Sequence, residues 1–165
     1  MRSRGFTLAE VAVASAVVGL LLVASLTVVG GSATGQAKSA DMERGCLLAR
    51  DMLAEVTAQA YEDPDAPGWG PESGEMGAFR TRFDDVDDYA GLVESPPINR
   101  DGSAIVGVDG WTRTTSVDFV APNNPEEGAG IDRGVKRIVV TVYRNKTMMA
   151  RLTTVRSRGH DRLCE

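Results

Sequence analysis

Three patterns of apolar and polar positions follow one another along the chain. From Val11 to Ala37 no side chain is charged, a run of 27 residues. Its first part, Val11–Val29, reads VAVASAVVGLLLVASLTVV. That supplies the ~20 apolar residues a helix needs to cross the hydrocarbon core of a bilayer. Past Lys38 the period changes. Met42, Cys46, Ala49, Leu53, Val56 and Ala60 recur at spacings of 4, 3, 4, 3 and 4, the stripe of an amphipathic helix. Asp41, Glu43, Arg44, Arg50, Asp51 and Glu55 lie off the stripe, and Leu47, Leu48 and Met52 widen it. Asp63-Pro64 ends the pattern, because a residue before proline disfavours helix. One helix running from Phe6 to Ala60 would be ~80 Å long.

The third pattern is shorter and β-like. Residues 64–78 hold three prolines and read as an irregular loop. Phe79–Phe83 alternates like a short strand, and residues 84–110 carry turn signals such as Asp101-Gly102 and Asp109-Gly110. Trp111–Val120 is β-rich, Asn123–Gly130 reads as loop, and Val135–Tyr143 alternates again. Asn145-Lys146 makes a tight turn into a last strand, Thr147–Arg156. Three or four antiparallel strands need a cover on one face, and the stripe from Met42 to Ala60 offers it. The expected fold is α+β: a long N-terminal helix packed on a small antiparallel sheet.

Bulk composition changes this picture little. The chain has 165 residues, 18 Lys+Arg, 23 Asp+Glu and a net charge of -5. These averages suit an ordinary globular domain. The acidic balance argues against nucleic acid as the main partner. One histidine and two cysteines argue against the common His/Cys zinc sites and a disulfide scaffold. The distribution is more telling. Residues 62–132 carry 16 acids and 4 bases, and residues 133–165 carry 9 bases and 2 acids. Two readings follow: complementary faces between subunits, or solvated loops beside a basic strand edge that discourages aggregation.

Glu10 sits at the head of the apolar run. An unpaired carboxylate inside a bilayer is costly and marks function, and no Lys or Arg lies within the span to pair with it. A free α-amine on a neighbouring copy, created by a cut before Phe6, would remove that cost. Arg2 and Arg4 precede the span, which keeps that end in the cytoplasm. An ordinary secretory signal has a shorter apolar stretch and a small-residue cleavage site.

The residues Arg4-Gly5-Phe6-Thr7-Leu8-Ala9-Glu10-Val11, behind a short basic leader and ahead of a long apolar helix, resemble the prepilin motif of type IV pilins and type II secretion pseudopilins. The resemblance implies a pilin-like lollipop fold, cleavage between Gly5 and Phe6 by a prepilin peptidase, and N-methylation of Phe6. It makes Glu10 the acid that pairs with a neighbour's N-terminus during assembly. Thr27 stands where family helices often carry proline, and Gly30, Gly31 and Gly35 lie nearby. The segment Leu48–Glu55 is similar to the helix of I-type minor pseudopilins. The implied organisation is a leader at 1–5, a transmembrane half-helix at 6–31, an amphipathic half-helix at 32–61 and a periplasmic head at 62–165. The implied partners are other pilins or pseudopilins, the peptidase and an inner-membrane assembly platform. The implied location is the inner membrane, single-pass, with the head outside the cytoplasm.

Two further sets of residues carry chemistry. Asp84, Asp85, Asp87 and Asp88 form the densest acid cluster, near Glu94. One reading is a solvated acidic loop. The other is a calcium site, since calcium takes sets of oxygen ligands and some pseudopilins hold it in such loops. No complete EF-hand loop is present. Cys46 and Cys164 admit a disulfide outside the cytoplasm, while Cys46's place on the stripe explains it equally as a packed thiol. No nucleophile, phosphate-loop or zinc-protease motif occurs, and His160 sits in a charged tail. The chain therefore reads as a non-enzymatic assembly subunit with no resident cofactor expected. The alternative is a membrane-anchored binding module with an acidic head.

Overall fold

The computed structural model describes residues 5, 7–63, 68–72, 74–75 and 79–161. Two compact units divide the chain, Met1–Asp41 and Met42–Glu165. Helix α1, Leu8–Thr57, runs through both without interruption. In the first unit its apolar side chains are exposed, Leu20 and Leu26 among them. It is long and apolar enough to cross a membrane.

The second unit holds an antiparallel sheet and the rest of α1. Its strands are β1 (Val93–Glu94), β2 (Trp111–Ala121), β3 (Asn124–Gly128), β4 (Val135–Arg144) and β5 (Thr147–Ser157). The sheet order is β1-β2-β4-β5, with β3 pairing to β2. β2 and β4 pair from Trp111↔Arg144 to Phe119↔Lys136, which sets Val117 opposite Ile138 and Thr115 opposite Val140. Asn145 and Lys146 connect β4 to β5 with φ of 47° and 69°. Positive φ at both central residues is the signature of the two-residue turn whose twist matches the strands. The tight turn was therefore legible in the sequence, and the long helix on a small sheet matches the α+β, pilin-like expectation.

The helix face that meets the sheet is rotated from the expected stripe. Leu48, Ala49, Met52 and Val56 are fully enclosed, whereas Met42 is 48% exposed and Cys46 and Leu53 are only half-buried. Gly45 accounts for the rotation. A Cβ there would lie 2.8 Å from the Met149 Cβ and 3.5 Å from the Ala150 Cβ, so β5 can lie flush against the helix only at a glycine. With Gly45 facing the strand, positions 48, 49, 52 and 56 follow on the same side at helical spacing. They pack with Trp111, Val117, Ile138, Val140, Val142 and Ala150, and with Phe83, Val86, Tyr89 and Val108 from the connecting segments.

Two other segments differ from expectation. Phe79–Phe83 is not a strand: Arg80–Arg82 forms a 3-10 turn, which points Arg80 into the interior while Phe83 packs edge-to-face on Tyr89 at 5.0 Å. Asn123–Gly130 is not a loop: β3 folds back on β2, with the register shifting between Val120 and Ala121. Every residue of β3 is exposed, so no apolar alternation could announce it. Backbone pairing and the Arg137 guanidinium, which donates to the Glu126 carbonyl at 2.9 Å, hold it.

Candidate functional site

The first candidate is the start of α1. Gly5 is exposed, and Phe6 lies outside the described residues. Thr7 caps the helix. Its amide donates to Glu10 Oε2 at 2.8 Å and its hydroxyl reaches the same oxygen at 2.9 Å. The Glu10 amide donates back to Thr7 Oγ1 at 3.3 Å. This is a reciprocal capping box, in which two amides left unpaired at a helix start find partners. The carboxylate also sits where the helix dipole favours negative charge. Glu10 thus has a local structural role that the sequence reading did not give it. The T-x-x-E spacing before an apolar run was the signal for it.

The acidic segment is not a solvated loop. Asp85, Asp87 and Asp88 are buried, and only Asp84 is exposed. The chain holds them there through Ala60, whose amide donates to the Asp84 carbonyl at 3.0 Å and whose carbonyl accepts from Val86 at 3.1 Å. The carboxylates then bond backbone. Asp85 Oδ1 accepts the amides of Asp87 and Asp88 at 2.7 and 3.2 Å. Asp88 Oδ2 accepts those of Asp84 and Asp85 at 3.0 and 3.2 Å. Asp87 accepts the Gly70 amide at 2.9 Å and pairs with the buried Lys136 ammonium. Burial, reinforced by the charges of Asp87 and Asp88, pushes the Asp85 carboxyl up to about 7. Burial also pushes Asp88 up.

The four aspartates therefore do not converge as one oxygen cage. Asp87 is already neutralised by a cation, a poor arrangement for a calcium ligand. Among the described residues, the carboxylates that approach one another as a group are Glu72, Glu75 and Asp88, with ligand atoms within 4.8 Å. The Glu75 carboxyl, pushed up by burial and by its hydrogen bond with Glu72, reaches about 8.

A second buried charge cluster was missed by the sequence reading. The Arg80 Nε donates to Glu55 Oε1 at 2.9 Å, and the same guanidinium pairs with Glu94. Arg113 Nε donates to Glu94 Oε2 at 2.7 Å, and its Nη1 donates to the Leu48 carbonyl of α1 at 3.1 Å. Both guanidiniums reach the Ile98 carbonyl. The Tyr89 hydroxyl donates to Glu55 Oε1 at 3.0 Å. Two acids and two bases balance, which is what buried charge requires. The available clue was parity, since Arg113 falls on the same strand face as Trp111 and Val117.

The acidic and basic segments meet inside the chain. Asp132 accepts from Tyr61 Oη at 2.6 Å and pairs with Arg158 at 2.5 Å. Burial opposes ionisation of Asp132, yet these bonds and the Gly134 amide hold its carboxyl below the usual range. Arg156 donates to the Gln59 carbonyl at 3.0 Å, and Arg137 pairs with Asp118. Much of the charge asymmetry is thus spent on joining the segment after α1 to the hairpin. Cys46 is half-buried and free. Cys164 lies outside the described residues.

The fold is α+β and consistent with a pilin-like one, and a helix start of prepilin type precedes it. The family described as the prokaryotic N-terminal methylation motif matches residues 1–26. That motif supports a type IV pilin-like protein processed by prepilin peptidase. No curated protein and no solved structure matches the chain.

Proposed function

We propose that this chain is a structural subunit of a type II secretion pseudopilus or a type IV pilus, in the role of a minor pseudopilin or minor pilin. The peptidase cuts between Gly5 and Phe6, and the new Phe6 amine is methylated. The chain then resides in the inner membrane by one span, its N-terminus cytoplasmic and its head on the far side. An assembly platform draws it into the fibre, where α1 packs among the helices of other subunits. Glu10 offers its carboxylate to the methylated amine of a neighbour. The observation that supports this most is Glu10 itself: a carboxylate in the first turn of an exposed apolar helix, where an unpaired acid is costly.

Glu10→Leu tests the reading. Site-directed cross-linking between α1 helices should disappear while the protein stays in the membrane fraction. Unchanged cross-linking would favour a membrane-anchored binding module instead.

A further inference from the structure

We propose that Lys136 and Asp87 condense into an intramolecular isopeptide bond. The inference rests on the interior of the head and is independent of the assembly reading.

A lysine and an aspartate meet there away from water, with a second aspartate buried two residues along the chain. Lys136 is 2% exposed, Asp87 1% and Asp85 3%. The Lys136 Nζ contacts both Asp87 Oδ1 and the Tyr61 carbonyl. Aromatic rings wall the amine, with Tyr61 at 4.5 Å, Trp69 at 5.7 Å and Phe119 at 5.9 Å from ring centroid to Nζ. The other oxygen of Asp87 accepts the Gly70 amide, which fixes the carboxyl plane. Asp85 is tied to the backbone of Asp87 through its Oδ1.

The chemistry follows from that enclosure. An ion pair buried this deeply bears a large desolvation cost. Passing a proton from the ammonium to the carboxylate leaves an uncharged amine against an uncharged acid. The Nζ–Cγ bond then forms, and one Cγ–O bond breaks. Two of the three ammonium hydrogens leave with that oxygen as water, and the third stays on the amide. No oxidant or co-reactant is required. The product joins the 3-10 turn Asp87–Tyr89 to β4 and closes the chain between residues 87 and 136. A cross-link of that span restricts the unfolded chain.

Tryptic mass mapping of the full chain, extracted from membranes and fully denatured, decides the point. The expected product is one branched species. It joins Phe83–Arg100 to Gly134–Arg137, is uncut after the acylated Lys136, and is lighter than the sum by one water. Separate Phe83–Arg100 and Gly134–Lys136 peptides in full yield would overturn the proposal and leave a non-covalent ion pair. Asp87→Ala should abolish the branched species. Its persistence in that variant would put the bond on another acid and overturn the proposal. The wild-type digest is decisive even where a variant fails to fold.

Discussion

Thr7 and Glu10 hold each other at the head of α1: the Thr7 amide donates to Glu10 Oε2 at 2.8 Å, and the Glu10 amide donates back to Thr7 Oγ1 at 3.3 Å. The carboxylate therefore has two separable duties, one as a cap and one as a charge. A glutamine fills the same capping position but carries no charge. Glu10→Gln should keep membrane insertion and helix content by circular dichroism, and lose cross-linking to neighbouring subunits. Glu10→Leu should lose the cap as well. Assembly retained in the glutamine variant would mean that the cap, not the charge, is what matters.

The four-charge cluster makes a sharper claim about stability. Removing Arg113 leaves Glu94 to Arg80 alone and the buried cluster one positive charge short, a loss bounded by the ~3–5 kcal/mol of a fully broken buried pair. Arg113→Ala should therefore lower the thermal midpoint of the detergent-extracted protein far more than Arg151→Ala, at an exposed position on β5. Equal midpoints for the two variants would contradict the cluster.

Gly45 gives a steric test. Alanine there forces the helix off Met149, and overpacking of this kind costs roughly 1–3 kcal/mol. Alanine at Gly35, where nothing lies within 4 Å, should leave head stability unchanged. Thermal melts of the two variants separate close packing from helix propensity, which would favour alanine at both positions.

Asp85 sets a pH dependence. Its carboxyl is raised to about 7 by burial and the charges of Asp87 and Asp88, so the folded head binds this proton more tightly than the unfolded chain does. Its stabilising contribution is complete below the ordinary carboxylate range and is lost as pH rises through about 7. Head stability should fall between about pH 4 and pH 7, as read by denaturant unfolding across that range, and Asp85→Asn should make the fall shallower, with Asp88 and Glu75 supplying the rest. A wild-type profile already flat over that interval would contradict the assignment.

Much of this architecture was legible in the sequence, for physical reasons that can be named. The charge-free run and the period change after Lys38 separate the exposed apolar half of α1 from the half that packs on the sheet. The Asn145-Lys146 turn reports backbone strain that few residues tolerate. The losses have equally definite causes. The stripe from Met42 to Ala60 and the true inward face share Ala49 and Val56, and only the close approach of Met149 at Gly45 chooses between them. Arg80, Arg113, Asp85 and Asp87 look like surface residues because charge normally faces water. Their burial depends on partners distant in the chain, Glu55 and Glu94 for the arginines and Lys136 for Asp87. β3 has no apolar residue facing inward, so its pairing leaves no trace in the pattern.

The central claim is that the chain begins its working life at Phe6, and the N-terminal tryptic peptide of the membrane-extracted protein tests it most directly. The account predicts a peptide running from Phe6 to Lys38 with a single methyl group on its amine. A chain that still starts at Met1, or one cut by a signal peptidase after the apolar run, would contradict it.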